Sequence, residues 1–191
     1  MQAREYKILF TGSMGAGKTT AINVISEIDP IQTDVGNTDL ASHAKQTTTA
    51  ALDYGQVTLS GGNVLRLYGT PGQARFDFMW EILGTGALGV VVLIDNTRQD
   101  PLTDLREYML AFRETVQSSR AVVGIGRTHS HPQPTIDEFH TVLAELGLNV
   151  PILSVDVRRR EDVLLLLDVL FNQIETTESM QAPELQKEAC S

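Results

Sequence analysis

Apolar residues along this chain follow two alternating rhythms. Dense runs such as Tyr6-Lys7-Ile8-Leu9-Phe10 and Ala87-Leu88-Gly89-Val90-Val91-Val92-Leu93-Ile94 have the character of strands covered on both faces. Between such runs, apolar residues recur at helical spacing. Ala21, Ile22, Ile25 and Ile28 form one stripe, and Leu102, Leu105, Tyr108/Met109, Phe112 and Val116 a second. Phe139, Val142/Leu143 and Leu146 form a third, and Val163, Leu166/Leu167, Leu170 and Ile174 a fourth. Each stripe predicts a helix with one buried face.

Further strands are predicted at residues 50–59, 64–68, 121–125 and 150–155. Ser60-Gly61-Gly62-Asn63 separates the first two of these. Because glycine takes positive φ without strain, this is a hairpin turn and the two strands pair antiparallel. Asp100-Pro101 reads as a cap with proline in the first turn, and Thr135 with Glu138 as a capping box before the helix that stops at Gly147. Residues 29–46 read as a long exposed polar loop, and Phe76, Met79/Trp80 and Leu83 as packing positions of a helix. The alternation predicts an α/β fold: three α/β/α layers around a mostly parallel six-stranded sheet with one antiparallel edge strand. One domain is expected over residues 1–175, the last helix covering about 160–175, followed by a frayed polar tail over 176–191.

The chain has 191 residues, of which 42% are hydrophobic, and a net charge of −9. That length buries a core without staples, and the acidity argues against a nucleic-acid surface. Cys190 is the single cysteine, so an intrachain disulfide and a cysteine-rich metal site are excluded. The first residues lack the apolar core of a secretion signal, and residues 87–94 are too short to cross a bilayer. A cytoplasmic protein is expected.

Candidate chemistry concentrates after the first strand. Gly12-Ser13-Met14-Gly15-Ala16-Gly17-Lys18-Thr19 is a complete phosphate-binding P-loop, set between a strand and a helix. Its backbone N–H groups, with Thr20 in the first helical turn, converge on phosphates at the positive end of the helix. Lys18 adds charge at the terminal phosphates, and the Thr19 hydroxyl suits Mg²⁺.

Further on, the chain reads Leu67-Tyr68-Gly69-Thr70-Pro71-Gly72-Gln73-Ala74-Arg75-Phe76. With the P-loop, and with Thr47-Thr48-Thr49 ahead of Asp53-Tyr54-Gly55, this resembles Ras-like small GTPases over residues 5–175. Proline before the switch glycine resembles the bacterial gliding-motility branch. The resemblance implies GTP/GDP binding with Mg²⁺, ATP remaining open, and a molecular switch. It implies that Thr49, with Thr48 as alternative, closes over the last phosphate and joins Thr19 on Mg²⁺. Gly72 would offer its N–H to that phosphate, and Gln73 would orient the attacking water. Arg127 would stack on the purine, beside His129, and Ser154-Val155 would offer N–H groups to its carbonyl. An activating protein partner, such as a roadblock-type dimer, is implied as well.

Three departures qualify the likeness. Gly69 replaces an aspartate that holds Mg²⁺ through water, so weakened Mg²⁺ binding is expected. Thr48 stands where the branch has an arginine, so intrinsic hydrolysis is expected to be slow. Gly126-Arg127-Thr128-His129 replaces the guanine signature, and an imidazole cannot accept two hydrogen bonds as a carboxylate does. Two other functions stay open: a degenerate purine-nucleotide scaffold with little hydrolysis, and a small-molecule kinase, for which no arginine-dense lid is visible. His43, His131 and His140 lack zinc-ligand spacing with His129.

Overall fold

Residues 3–29, 31–35, 50–72, 78–117 and 120–188 are described by the computed structural model. They form strands β1 (Glu5–Gly12), β2 (Ile31–Val35), β3 (Ala50–Thr58), β4 (Val64–Gly69), β5 (Gly89–Asp95), β6 (Ala121–Gly126) and β7 (Ile152–Val155). The helices are α1 (Lys18–Ile25), α2 (Phe78–Gly84), α3 (Pro101–Ala111), α4 (Arg113–Gln117), α5 (Ile136–Glu145) and α6 (Arg160–Glu188).

One sheet runs in the order β2-β3-β4-β1-β5-β6-β7. Parallel pairing links β4 to β1, β1 to β5, β5 to β6 and β6 to β7, while β3 is antiparallel to both β2 and β4. All six expected strands are present in a mostly parallel sheet, as the sequence predicts, but the antiparallel strand β3, expected at the edge, is internal. A seventh strand, β2, lies at the edge, inside the stretch expected to be loop. Its pairing with β3 supplies backbone partners that no local pattern announces.

The two rhythms become two cores. Ile8, Phe10, Leu65, Leu67, Val91 and Leu93 point from the sheet to α1 and α6, where Ile22, Ile25, Leu166 and Leu170 meet them. Leu9, Val90, Val92, Ile94 and Val123 point to the other side, under Trp80, Leu105, Met109 and Phe139. Alternation across β1 and β5 thus fills both faces, which is why their sequences are apolar throughout.

The caps form as expected. Asp100 accepts the Thr103 N–H at 3.0 Å, and Glu138 accepts the Thr135 N–H at 2.7 Å. The last helix corrects the expected boundary: α6 continues to Glu188, so residues from 176 to 188 extend a helix instead of fraying.

Phe139 is fully buried beneath the sheet. Phe139→Ala is expected to lower stability by roughly 3–5 kcal/mol through lost burial and a residual cavity. Urea denaturation checks this, and a loss below about 1 kcal/mol would mean that the site collapses around the change.

Candidate nucleotide site

Strands β1, β4, β5 and β6 end along one edge of the sheet, and there the segments after β1, β6 and β7 line a cleft of about 770 Å³. Its walls include Gly15 to Thr20, Arg127 to Ser130, Ser154 to Arg158, and Asp162. The P-loop forms its floor, between β1 and α1. Lys18 is 7% exposed, and its Nζ donates to the carbonyls of Gly12 at 2.7 Å and Ser13 at 2.8 Å. Burial pulls the ammonium down to about 8, against the opposing charge of Asp53. Ser13 is buried, and its hydroxyl has no partner among the described residues.

The residue missed by sequence reasoning is Asp53. Thr19 Oγ1 donates to Asp53 Oδ2 at 2.6 Å. Asp53 is the register partner of Gly69 across β3 and β4. A β-carbon on Gly69 would sit 2.9 Å from both Cβ and Oδ2 of Asp53. Glycine at 69 therefore makes room for a carboxylate that comes from the neighbouring strand. The signal was available: Asp53 and Gly69 are equidistant from the Leu59–Asn63 closure of the hairpin.

The segment after β4 lies on the P-loop. Gly72 O accepts the Met14 N–H at 3.1 Å, and a β-carbon on Gly72 would lie 2.7 Å from both Lys18 Nζ and Met14 N. Only glycine fits that approach. The Thr70 and Thr11 hydroxyls meet at 2.9 Å in a buried pair, and Trp80 Nε1 donates to Pro71 O at 3.2 Å. The Trp80 ring lies 4.8 Å from Tyr108 and 6.2 Å from Phe112 between centroids. Trp80 thus serves packing, as expected, and also holds Pro71.

At the opposite end, Arg127 has a φ of 62° and reaches back over the P-loop. Its guanidinium pairs with Asp95 and donates to Gly15 O at 3.1 Å. Burial of the Asp95 carboxyl opposes its ionisation, but bonds from Arg127 and Thr97 outweigh this and hold it below the usual range. The Thr128 and Ser154 hydroxyls hydrogen-bond to each other. His129 lies on the same wall, and Val155 is buried at the end of β7. Asp156 is bound by the Arg158 guanidinium, which holds it down to about 2, while Asp162 takes the Asp156 N–H at 2.8 Å.

The structure thus brings the P-loop, Gly72, Arg127, His129, Ser154 and Val155 to one edge. Thr49 and Gln73, with Thr48 and Arg75, lie outside the described residues. Among the described residues, no cluster of three histidine, cysteine or acidic side chains could hold a metal. Nor is any helix among them long and apolar enough to cross a membrane.

Strand, phosphate loop, helix and a half-buried threonine–carboxylate pair define a P-loop nucleotide-binding protein. The chain belongs to the family described as conserved hypothetical ATP binding protein, whose model matches residues 29–125. That stretch begins after the P-loop, so motif and family match support nucleotide binding separately. An uncharacterized protein of Methanocaldococcus jannaschii is 31% identical over 99 residues, covering 51% of this chain and 56% of the relative. The chain therefore spans little more than half of that curated relative. These matches overturn the resemblance to the gliding-motility branch of small GTPases: the family is an ATP-binding one and the relative is archaeal. The motifs that carried the likeness are those that phosphate chemistry imposes on many P-loop proteins, whereas the base loop never matched.

Lys18 generates a prediction. Near pH 8 about half of a group with this pKa is neutral, and an arriving triphosphate favours its charged form. Binding at pH 8 should take up protons, and the uptake should vanish at about pH 6, where Lys18 is already charged. Calorimetric titration in buffers of different ionisation enthalpy measures this. Lys18→Arg, which does not titrate, should abolish the uptake, and its persistence there would disprove the assignment.

Proposed function

We propose that this chain is a Mg²⁺-dependent nucleoside-triphosphate switch that hydrolyses its ligand slowly alone and faster with a protein partner. The contact of Gly72 with Met14 and Lys18 carries this reading. A third phosphate competes for the same donors, so its arrival shifts residues 70–72 and its loss lets them return. Lys18 neutralises the phosphates. Gln73 orients the attacking water, and Thr49 closes over the last phosphate, roles that rest on their order in the chain.

The oxygen donors beneath the P-loop fit a small hard cation: Thr19 would hold Mg²⁺, with Asp53 behind it and Thr49 completing the set. Bound there, the ion draws off negative charge as the phosphoryl group transfers. Both arginines that line the cleft are paired, Arg127 with Asp95 and Arg158 with Asp156. An arginine from a partner contributes about 10³–10⁵ in rate in such reactions, and here that contribution is open for a partner to make. A nucleotide-binding scaffold with little hydrolysis is the second reading, favoured by the same pairing.

A carboxylate suits guanine because its two oxygens can accept both neighbouring N–H groups. Of the acidic residues lining the cleft, Asp156 is held by Arg158 and Asp162 by the Asp156 backbone. ATP therefore suits the described walls at least as well as GTP, in keeping with the family's description.

Trp80, bonded to Pro71, should report the switch: its emission is expected to differ between diphosphate and non-hydrolysable triphosphate complexes. Identical spectra at saturation would remove the switch and leave the scaffold.

Asp53→Asn tests the metal. The Mg²⁺ concentration that supports half-maximal nucleotide binding is expected to rise by about 10–100-fold, the usual effect of losing an outer-sphere carboxylate. An unchanged Mg²⁺ dependence would show that Asp53 serves only to orient Thr19.

A further inference from the structure

Asn96 follows β5 and is 2% exposed, and it is not among the residues that line the cleft. Its Nδ2 donates to the carbonyls of His131 at 2.7 Å and Pro134 at 3.0 Å. Its backbone N–H donates to the Gly126 carbonyl at 3.2 Å. Those three carbonyls bracket the segment that carries Arg127, Thr128 and His129. One buried residue therefore fastens the cleft's upper wall to the end of β5, by its backbone at Gly126 and by its side chain at His131 and Pro134.

The loop has reason to need fastening. Arg127 is the single non-glycine residue with positive φ among the described residues, a conformation held only where the surroundings enforce it. Its carbonyl accepts the N–H groups of Ser130 at 3.1 Å and His131 at 2.9 Å, forming a turn that the Asn96 bond to His131 then anchors. The amide orientation is unambiguous, because two carbonyls can face only the donor end. Oδ1 is left buried with no partner among the described residues.

We propose that Asn96 is a positioning residue for base recognition: by holding residues 126–134 in one shape, it sets the wall against which the nucleobase binds. This rests on the cleft being the nucleotide site. Phosphate binding should depend little on Asn96, since the P-loop is held by β1, α1 and its own Lys18 bonds and meets this segment through the Arg127 bond to the Gly15 carbonyl. Asn96→Asp keeps the shape but turns a two-proton donor into an acceptor aimed at two carbonyls. Asn96→Ala removes the donor without adding charge.

Equilibrium binding of ATP, GTP and inorganic tripolyphosphate, each with Mg²⁺, separates base from phosphate. The parent is expected to bind at least one nucleotide more tightly than tripolyphosphate. Both variants should lose about tenfold or more of that advantage, equivalent to ~1.4 kcal/mol, while tripolyphosphate binding stays within about twofold. A variant that keeps the advantage would overturn the role of Asn96. If both variants lost tripolyphosphate binding and circular-dichroism signal together, Asn96 would be a general folding determinant, which also overturns it. A parent without any advantage for ATP or GTP would instead remove the base-binding reading of the cleft, and this inference with it.

Discussion

A strand buried on both faces leaves no side chain free for chemistry along its length. In this protein β1 and β5 are such strands, apolar at successive positions and covered by α1 and α6 on one side and by α2, α3 and α5 on the other. Polar groups that touch a ligand can therefore appear only where these strands end. Gly12 and Asp95 are those ends, Gly69 and Gly126 end the neighbouring β4 and β6 on the same edge, and the cleft opens there. The sheet's parallel pairing aligns the ends on one edge, so the site's location follows from the burial of its scaffold.

Within that edge, two carboxylates organise the positive and hydroxyl groups. Asp53 holds the Thr19 hydroxyl beneath the phosphate loop, and Asp95 holds the Arg127 guanidinium above it. Both are supplied by other strands, β3 and β5, and not by the loop itself. Position 69 is glycine, and a β-carbon there would meet the Asp53 side chain from across the hairpin. The acidic residues that line the cleft, Asp156 and Asp162, are engaged by Arg158 and by backbone.

The family match changes how the motifs should be weighed. The P-loop and the glycine that approaches it answer to phosphate, which every nucleoside triphosphate has. They are therefore weak guides to which branch of P-loop proteins a chain belongs to. Gly126-Arg127-Thr128-His129, by contrast, departs from the guanine pattern.

The sequence by itself determined the strands and helices with strong periodicity, the hairpin, the caps and the phosphate loop. Each depends on residues close along the chain, whose spacing and backbone preferences are local properties. It did not reveal β2, whose strand exists because β3 offers it hydrogen bonds, or the continuation of α6 to Glu188. Tertiary structure alone decided that Asp53 meets the Thr19 hydroxyl and that Asn96 reaches the carbonyls of His131 and Pro134. Those contacts join residues far apart in sequence, and register and packing, not composition, set which side chains come within hydrogen-bonding distance.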